Sequence, residues 1–392
     1  MILMGRAAVI FLATQLALLT FLAGRFPQAV LAQPGIEPGE RSVQALSLRK
    51  EVVARVDSKV KTVIAAGLPQ YLGKARDYDG IFAQLAAAGV KVFLADGQCR
   101  QLPEPASLGY EADFYPTAQT ISAPGTRKAY GAMKKHGVKL LVPADILYPL
   151  GQELPSPAED PLLRLIKTFG ADAIYGVYAY DEPAKNADFK QMDKRCQAVY
   201  RRVKELSAAL PVVMVHAPLV DGFAAGDAQY LKRVLQLSRY ADIVGFDVYP
   251  IPIHVAKLVD PFLTAAPAAA RKAVPGVDPL TGLFTDYRVA VAAYCRFLKK
   301  NLPGKDYLVV LQAFSYKDQG FDPVLAHLYG DRRPTGEEMR TMVKVARKEG
   351  VGNIAWWGQG MVGGDPSAAR QYWKEVLEAS SSLDFPGHAG GK

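Results

Sequence analysis

The chain has 392 residues, half of them hydrophobic, and a formal net charge of +9. That supplies apolar side chains for one large core or two ordinary ones. Cys99, Cys196 and Cys295 allow at most one disulfide within the chain, which excludes a disulfide-stapled scaffold.

Residues 1–6 are short and basic, residues 7–24 are apolar apart from Thr14, Gln15 and Thr20, and Val30-Leu31-Ala32 offers small residues before Gln33. This pattern predicts a signal peptide over residues 1–32 and an exported protein, periplasmic or extracellular. An uncleaved membrane anchor is the alternative, because the apolar stretch approaches the ~20 residues that cross a bilayer. Removing residues 1–32 takes away Arg6 and Arg25 and no acid, leaving +7. The remaining basic residues, such as Lys194, Arg195, Arg201, Arg202 and Lys204, recur on predicted helix faces. They read as a solvated outer surface, so no nucleic-acid partner is expected. Cys196 and Cys295 fall in helical patterns and read as buried hydrophobes.

Residues 33–60 form a polar lead-in with a helical pattern over 47–60, and β-like runs then alternate with helical patterns. The strands are expected at 62–67, 90–95, 139–143, 173–180, 211–216, 243–248, 307–312 and 353–357. Helices are expected at 79–88, 127–136, 161–169, 184–209, 228–240, 287–301, 336–348 and 367–379. Strand-then-helix units repeated in this way predict a single (β/α)8 barrel over residues 61–384, with 385–392 a flexible Gly-rich tail. Joins from helix to strand are short and marked by Gly or Pro, whereas several joins from strand to helix are long. That asymmetry places the elaborated, binding face at the C-terminal ends of the strands. A doubly wound open sheet would want a Gly-rich phosphate turn after an early strand, and Ala65-Ala66-Gly67-Leu68-Pro69 does not match one.

At the strand ends stand Asp96, Asp145, Asp181 with Glu182, His216, Asp247 with Tyr249, Gln312, and Trp356 with Trp357. A lone acid at such a place is most often a helix cap or loop anchor, the reading given to Asp96 and Asp145. Asp181 and Glu182 differ. They end an apolar strand, where burial disfavours charge, and Pro183 suits the first turn of a helix that one of them caps while the other projects over the pore. Alternation turns Asp247 to the face opposite Phe246. Flat rings near the mouth, among them Tyr110, Phe114, Tyr115, Tyr148, Tyr249, Phe314, Tyr316, Phe321, Trp356 and Trp357, suit the apolar faces of sugars, although fewer than half are expected to touch a ligand. Trp356 and Trp357 cannot both face the lumen. The five histidines show neither H-x-H nor H-E-x-x-H, and no G-x-S-x-G or P-loop occurs, so no metal and no cofactor are expected.

Three segments, Tyr178-Ala179-Tyr180-Asp181-Glu182-Pro183, Ala241 through Pro250, and Val351 through Trp357, together resemble the glycoside-hydrolase superfamily of TIM barrels. The resemblance runs from about the first strand to the last and is specific to the superfamily, not to one family. It implies that Glu182 is the proton donor, with an apolar wall from Tyr180 or Trp356 raising its pKa. The usual second glutamate, at the end of the seventh strand, is replaced by Gln312. Two arrangements remain. Asp181 and Glu182 look like the pair of substrate-assisted hexosaminidase barrels, in which the sugar's acetamido group is the nucleophile; otherwise Asp247 is the base or nucleophile opposite Glu182. The resemblance thus implies a monomeric O-glycoside hydrolase acting on a polysaccharide or oligosaccharide, with Asp96, Asp145, His216, Tyr249, Gln312, Trp356 and Trp357 binding substrate. A non-catalytic carbohydrate-binding barrel of the envelope is the alternative, and a structural envelope protein a third reading.

Overall fold

A computed structural model describes residues 62–67, 77–95, 111–220, 227–263, 274–319, 332–358 and 365–381. All of them belong to the unit Ala45–Lys392. The expected signal segment, the lead-in and the tail lie outside the described residues, as do Asp96, Cys99, Tyr110 and Phe321. Among the described residues no helix is long and apolar enough to cross a membrane.

Among the described residues eight strands and eight long helices alternate. They are β1 (Val63–Ala66), α1 (Tyr78–Ala87), β2 (Val90–Leu94), α2 (Pro124–Lys135), β3 (Lys139–Pro143), α3 (Pro161–Phe169), β4 (Ile174–Tyr178) and α4 (Phe189–Leu206) in the first half. The second half continues with β5 (Val212–His216), α5 (Asp227–Leu237), β6 (Ile243–Val248), α6 (Tyr287–Asn301), β7 (Asp306–Gln312), α7 (Gly336–Lys348), β8 (Asn353–Trp357) and α8 (Pro366–Ser381). Each strand pairs in parallel with the next, and β8 closes on β1 through Val63 with Ile354, Ile64 with Ala355 and Ala65 with Trp356. The protein is a single (β/α)8 barrel.

The strands are apolar on both faces because both faces are covered. Inward residues such as Ile64, Val92, Leu141, Val213, Ile243, Leu308 and Ala355 fill the lumen. Outward residues such as Val63, Phe93, Leu140, Met214, Phe246, Val309 and Trp356 pack beneath the helices. Cys196 on α4 and Cys295 on α6 are free thiols buried in this outer layer.

Helix starts follow from capping chemistry. Asp160 accepts from the Leu162 amide ahead of α3, Asp286 from Arg288 ahead of α6, and Thr335 forms a reciprocal box with Glu338 ahead of α7. The expected helix over 184–209 is shorter and divided. Pro183 opens a 3-10 turn, Pro183–Lys185, and Asp188 then caps α4 by accepting from the Gln191 amide.

Two polar networks fasten the mouth loops from below. Arg195 on α4 donates to the Tyr180 hydroxyl (2.8 Å) and to the carbonyls of Gln152 and Pro149, while Tyr180 donates to the Tyr148 carbonyl (2.6 Å). Arg202 and Tyr148 both bond the fully buried Asp160 at 2.8 Å. Together they hold the loop between β3 and α3 against α4.

Candidate active site

The site is built where β4 stops. The pairing of β4 with β3 skips a residue, Leu140 facing Ile174 and Leu141 facing Gly176. Such a bulge shifts the inward–outward alternation by one. Tyr175 and Tyr178 therefore both lie against the lumen cluster; the strand ends at Tyr178, and Tyr180 beyond it packs into the helix layer. The Tyr178 hydroxyl donates to Asp181 Oδ1 at 2.9 Å, holding that exposed carboxylate over the mouth.

Glu182 follows in the left-handed region, with φ 42° and ψ 48°. An L-residue with a side chain is held there at a cost of about 1–3 kcal/mol, and such strain concentrates at functional positions. Glu182 occupies the cap position of the Pro183 turn yet makes no capping bond. Its Oε2 instead meets Lys185 Nζ at 2.7 Å, in a pair that is half-buried on the Glu182 side.

Asp247 completes the group from β6. Its neighbours Phe246 and Val248 belong to the outer layer, so its own side chain faces the lumen, where it is 6 % exposed. Burial first, then the negative charges of Glu182 and Asp181, push the Asp247 carboxyl well above the ordinary carboxylate range. A hydrogen bond from Tyr249 and the charge of Lys185 act in the opposite direction. Burial and the same acids also raise the phenols of Tyr178 and Tyr249.

Tyr249 lines the mouth beside Asp247. Its ring meets Phe314 edge-on at 5.0 Å, and its carbonyl accepts from Tyr316 at 2.9 Å. Trp357, half-buried, lies against the lumen cluster, whereas Trp356 is buried under α8 with Nε1 donating to Ser380 Oγ at 2.7 Å. Only one tryptophan of the pair thus faces inward. Phe114, Tyr148 and Phe314 are fully buried, and Tyr115 and Tyr316 are partly exposed.

Other expected positions fall elsewhere. The side chain of His216, at the end of β5, is fully buried in the helix layer against Ser238 (3.2 Å) and faces away from the lumen. The reason is alternation: Val213 and Val215 take the inward places. Gln312 is fully buried, with its amide bonded to the backbone of Ile251 and Phe314. The wall expected from Tyr180 or Trp356 is supplied by neither, since both point outward. Asp145 is exposed in the first turn of the short helix Ala144–Leu147.

Sequence reasoning missed Tyr178 and Lys185. A signal for Lys185 was present, three residues beyond Glu182 across a proline turn; Tyr178 is set inward by a bulge that leaves no mark in the sequence. Among the described residues no group of three His, Cys, Asp or Glu side chains is placed to hold a metal ion. Three carboxyl groups, one ammonium and a rim of half-exposed rings can move protons and hold a polyhydroxylated ring.

No protein-family model matches the sequence, and no curated protein does. Solved structures are similar in fold. A β-galactosidase from the psychrophilic Marinomonas ef1 shares 9% identity, with 81% of this chain and 59% of that chain covered and a TM-score of 0.50. The polyextremophilic β-galactosidase from the Antarctic haloarchaeon Halorubrum lacusprofundi shares 11%, covering 82% and 58%, at 0.50. A family 39 glycoside hydrolase from the gut symbiont Bacteroides cellulosilyticus WH2 shares 14%, covering 83% and 64%, at 0.45. The chain thus spans about three-fifths of the length of these proteins. The likeness is one of fold: this is a TIM barrel like those of glycoside hydrolases.

Proposed function

We propose that the protein is a glycoside hydrolase that cleaves O-glycosidic bonds of a polysaccharide or oligosaccharide by carboxyl acid–base chemistry. The observation that carries this reading is the meeting of Asp181, Glu182 and the buried Asp247 at the C-terminal mouth of the barrel, on the side where such barrels react. The strained backbone of Glu182 and the rings of Tyr249 and Trp357 support it. In a panel of chromogenic glycosides and polysaccharides, the wild-type protein is expected to hydrolyse at least one class. Glu182→Gln is expected to fold normally and to lose about 10²–10³-fold in kcat; undiminished turnover would sink the assignment.

A non-catalytic carbohydrate-binding barrel is the second reading, favoured by the amide of Gln312 at the end of β7. Oligosaccharide binding without cleavage across the panel would establish it.

Export is part of the proposal and rests on the basic, apolar and small-residue pattern of residues 1–32. Mass spectrometry of protein recovered outside the cytoplasm is expected to find a chain beginning at Gln33; an intact Met1 on that protein would refute cleavage.

A further inference from the structure

The resemblance to glycoside hydrolases implies that Glu182 gives the proton, and the surroundings of the two acids argue the reverse. Glu182 is reached by water and sits 2.7 Å from the ammonium of Lys185. That contact is a charge-assisted hydrogen bond at the solvent-facing rim of the mouth. Asp247 has opposite surroundings. It is buried in the lumen, bonded by the Tyr249 hydroxyl, and faces the charges of Asp181 and Glu182 from the end of β4, with Lys185 beyond them. The Tyr178 phenol, also on β4, and the Tyr230 phenol of α5 lie within the same field and are neutral. Where two carboxyl groups share one site, the environment that opposes charge keeps the proton.

We propose, resting on the glycosidase reading, that Asp247 is the proton donor of the reaction and Glu182 its charged partner. In the bond-breaking step the glycosidic C1–O bond opens and its electron pair takes the Asp247 proton, releasing the leaving alcohol. The new bond to C1 forms from one of two oxygens. If it is a Glu182 oxygen, the resulting ester is hydrolysed by a water that returns its proton to Asp247. If it is a water oxygen, Glu182 accepts that water's proton, and exchange with solvent resets both acids. In either course one water is consumed and one alcohol and one free sugar end are produced.

Two measurements test the assignment separately from the activity itself. In the ligand-free protein labelled with 13C at Asp and Glu carboxyls, the signal lost in Asp247→Asn is expected to have the shift of a protonated acid at pH 7. The signal lost in Glu182→Gln is expected to have that of a carboxylate. The opposite pattern overturns the proposal and leaves the glycosidase reading standing. In kinetics, Asp247→Asn is expected to lose about 10²–10³-fold on alkyl glycosides and less than about tenfold on dinitrophenyl glycosides, whose leaving groups need no proton. Its alkaline limb in the pH profile is expected to disappear. Glu182→Gln is expected to lose both substrates. Retention of dinitrophenyl glycosides by Glu182→Gln, with their loss in Asp247→Asn, restores Glu182 as the donor. No hydrolysis by the wild type anywhere in the panel removes both the reading and the assignment.

Discussion

Replacing Gln312 by glutamate is expected to lower the unfolding free energy by about 3–5 kcal/mol and to bring no gain in glycoside turnover. Gln312 ends β7 where glycoside hydrolases of this fold usually carry an acid. Here its Nε2 donates to the carbonyls of Ile251 (2.7 Å) and Phe314 (3.0 Å), and its Oε1 accepts from the Ile251 amide (2.8 Å). The side chain therefore ties the segment after β6 to the segment after β7. A carboxylate keeps the accepting role, loses both donating ones and sets a buried negative oxygen against two carbonyls. Protonation restores one donor and still leaves one carbonyl unsatisfied, at about 1–3 kcal/mol. Urea unfolding at pH 7 with the wild type in parallel measures the loss. A loss under about 1 kcal/mol, or a gain in glycoside turnover, would show that the position is free to carry an acid.

Acid is expected to weaken the fold through His216, by about 2–3 kcal/mol at pH 4.5. Ser238 Oγ donates to the Val234 carbonyl at 2.7 Å, so the His216 Nε2 contact with the same oxygen makes Nε2 the donor. Nδ1 is then a bare acceptor, buried and without a partner. Protonation would add a charge and an unsatisfied donor at Nδ1 in an apolar layer, and burial accordingly pushes the imidazole down to about 3. An unfolded histidine titrates near ~6.5, so between these values the unfolded chain binds the proton and the native one does not. Stability from this group is complete above ~6.5 and falls as pH drops toward about 3. His216→Leu removes the titration. The difference in unfolding free energy between pH 7.5 and 4.5 is expected to be about 2–3 kcal/mol smaller in the variant than in the wild type. Equal differences would mean that His216 is protonated in the native state.

Most of the architecture could be read from the alternation of apolar runs with amphipathic ones. The expected strands over 139–143, 243–248 and 353–357 match β3, β6 and β8, and the others lie within one or two residues of those observed. These strands are doubly buried, so their signal is strong. The loop asymmetry likewise placed Asp181, Glu182 and Asp247 on one face without any coordinates. Facing direction was harder. His216 and Trp356 sit at strand ends, as expected, but inward and outward places are fixed by register against neighbouring strands. A single skipped residue in β4 turns Tyr178 to the lumen beside Tyr175, and Tyr180, past the end of the strand, packs outward. Charge state was also beyond the sequence, since the raised carboxyl of Asp247 depends on residues from β4 and β6 meeting across the barrel.

The left-handed backbone at Glu182 has a consequence for anyone improving this protein by selection. Glycine adopts that conformation freely, so Glu182→Gly is expected to relieve about 1 kcal/mol of backbone strain while discarding the carboxylate. A library sorted for heat resistance alone will enrich the variant that lacks this carboxylate, and a thermostability campaign has to hold position 182 fixed for the proposed activity to be testable.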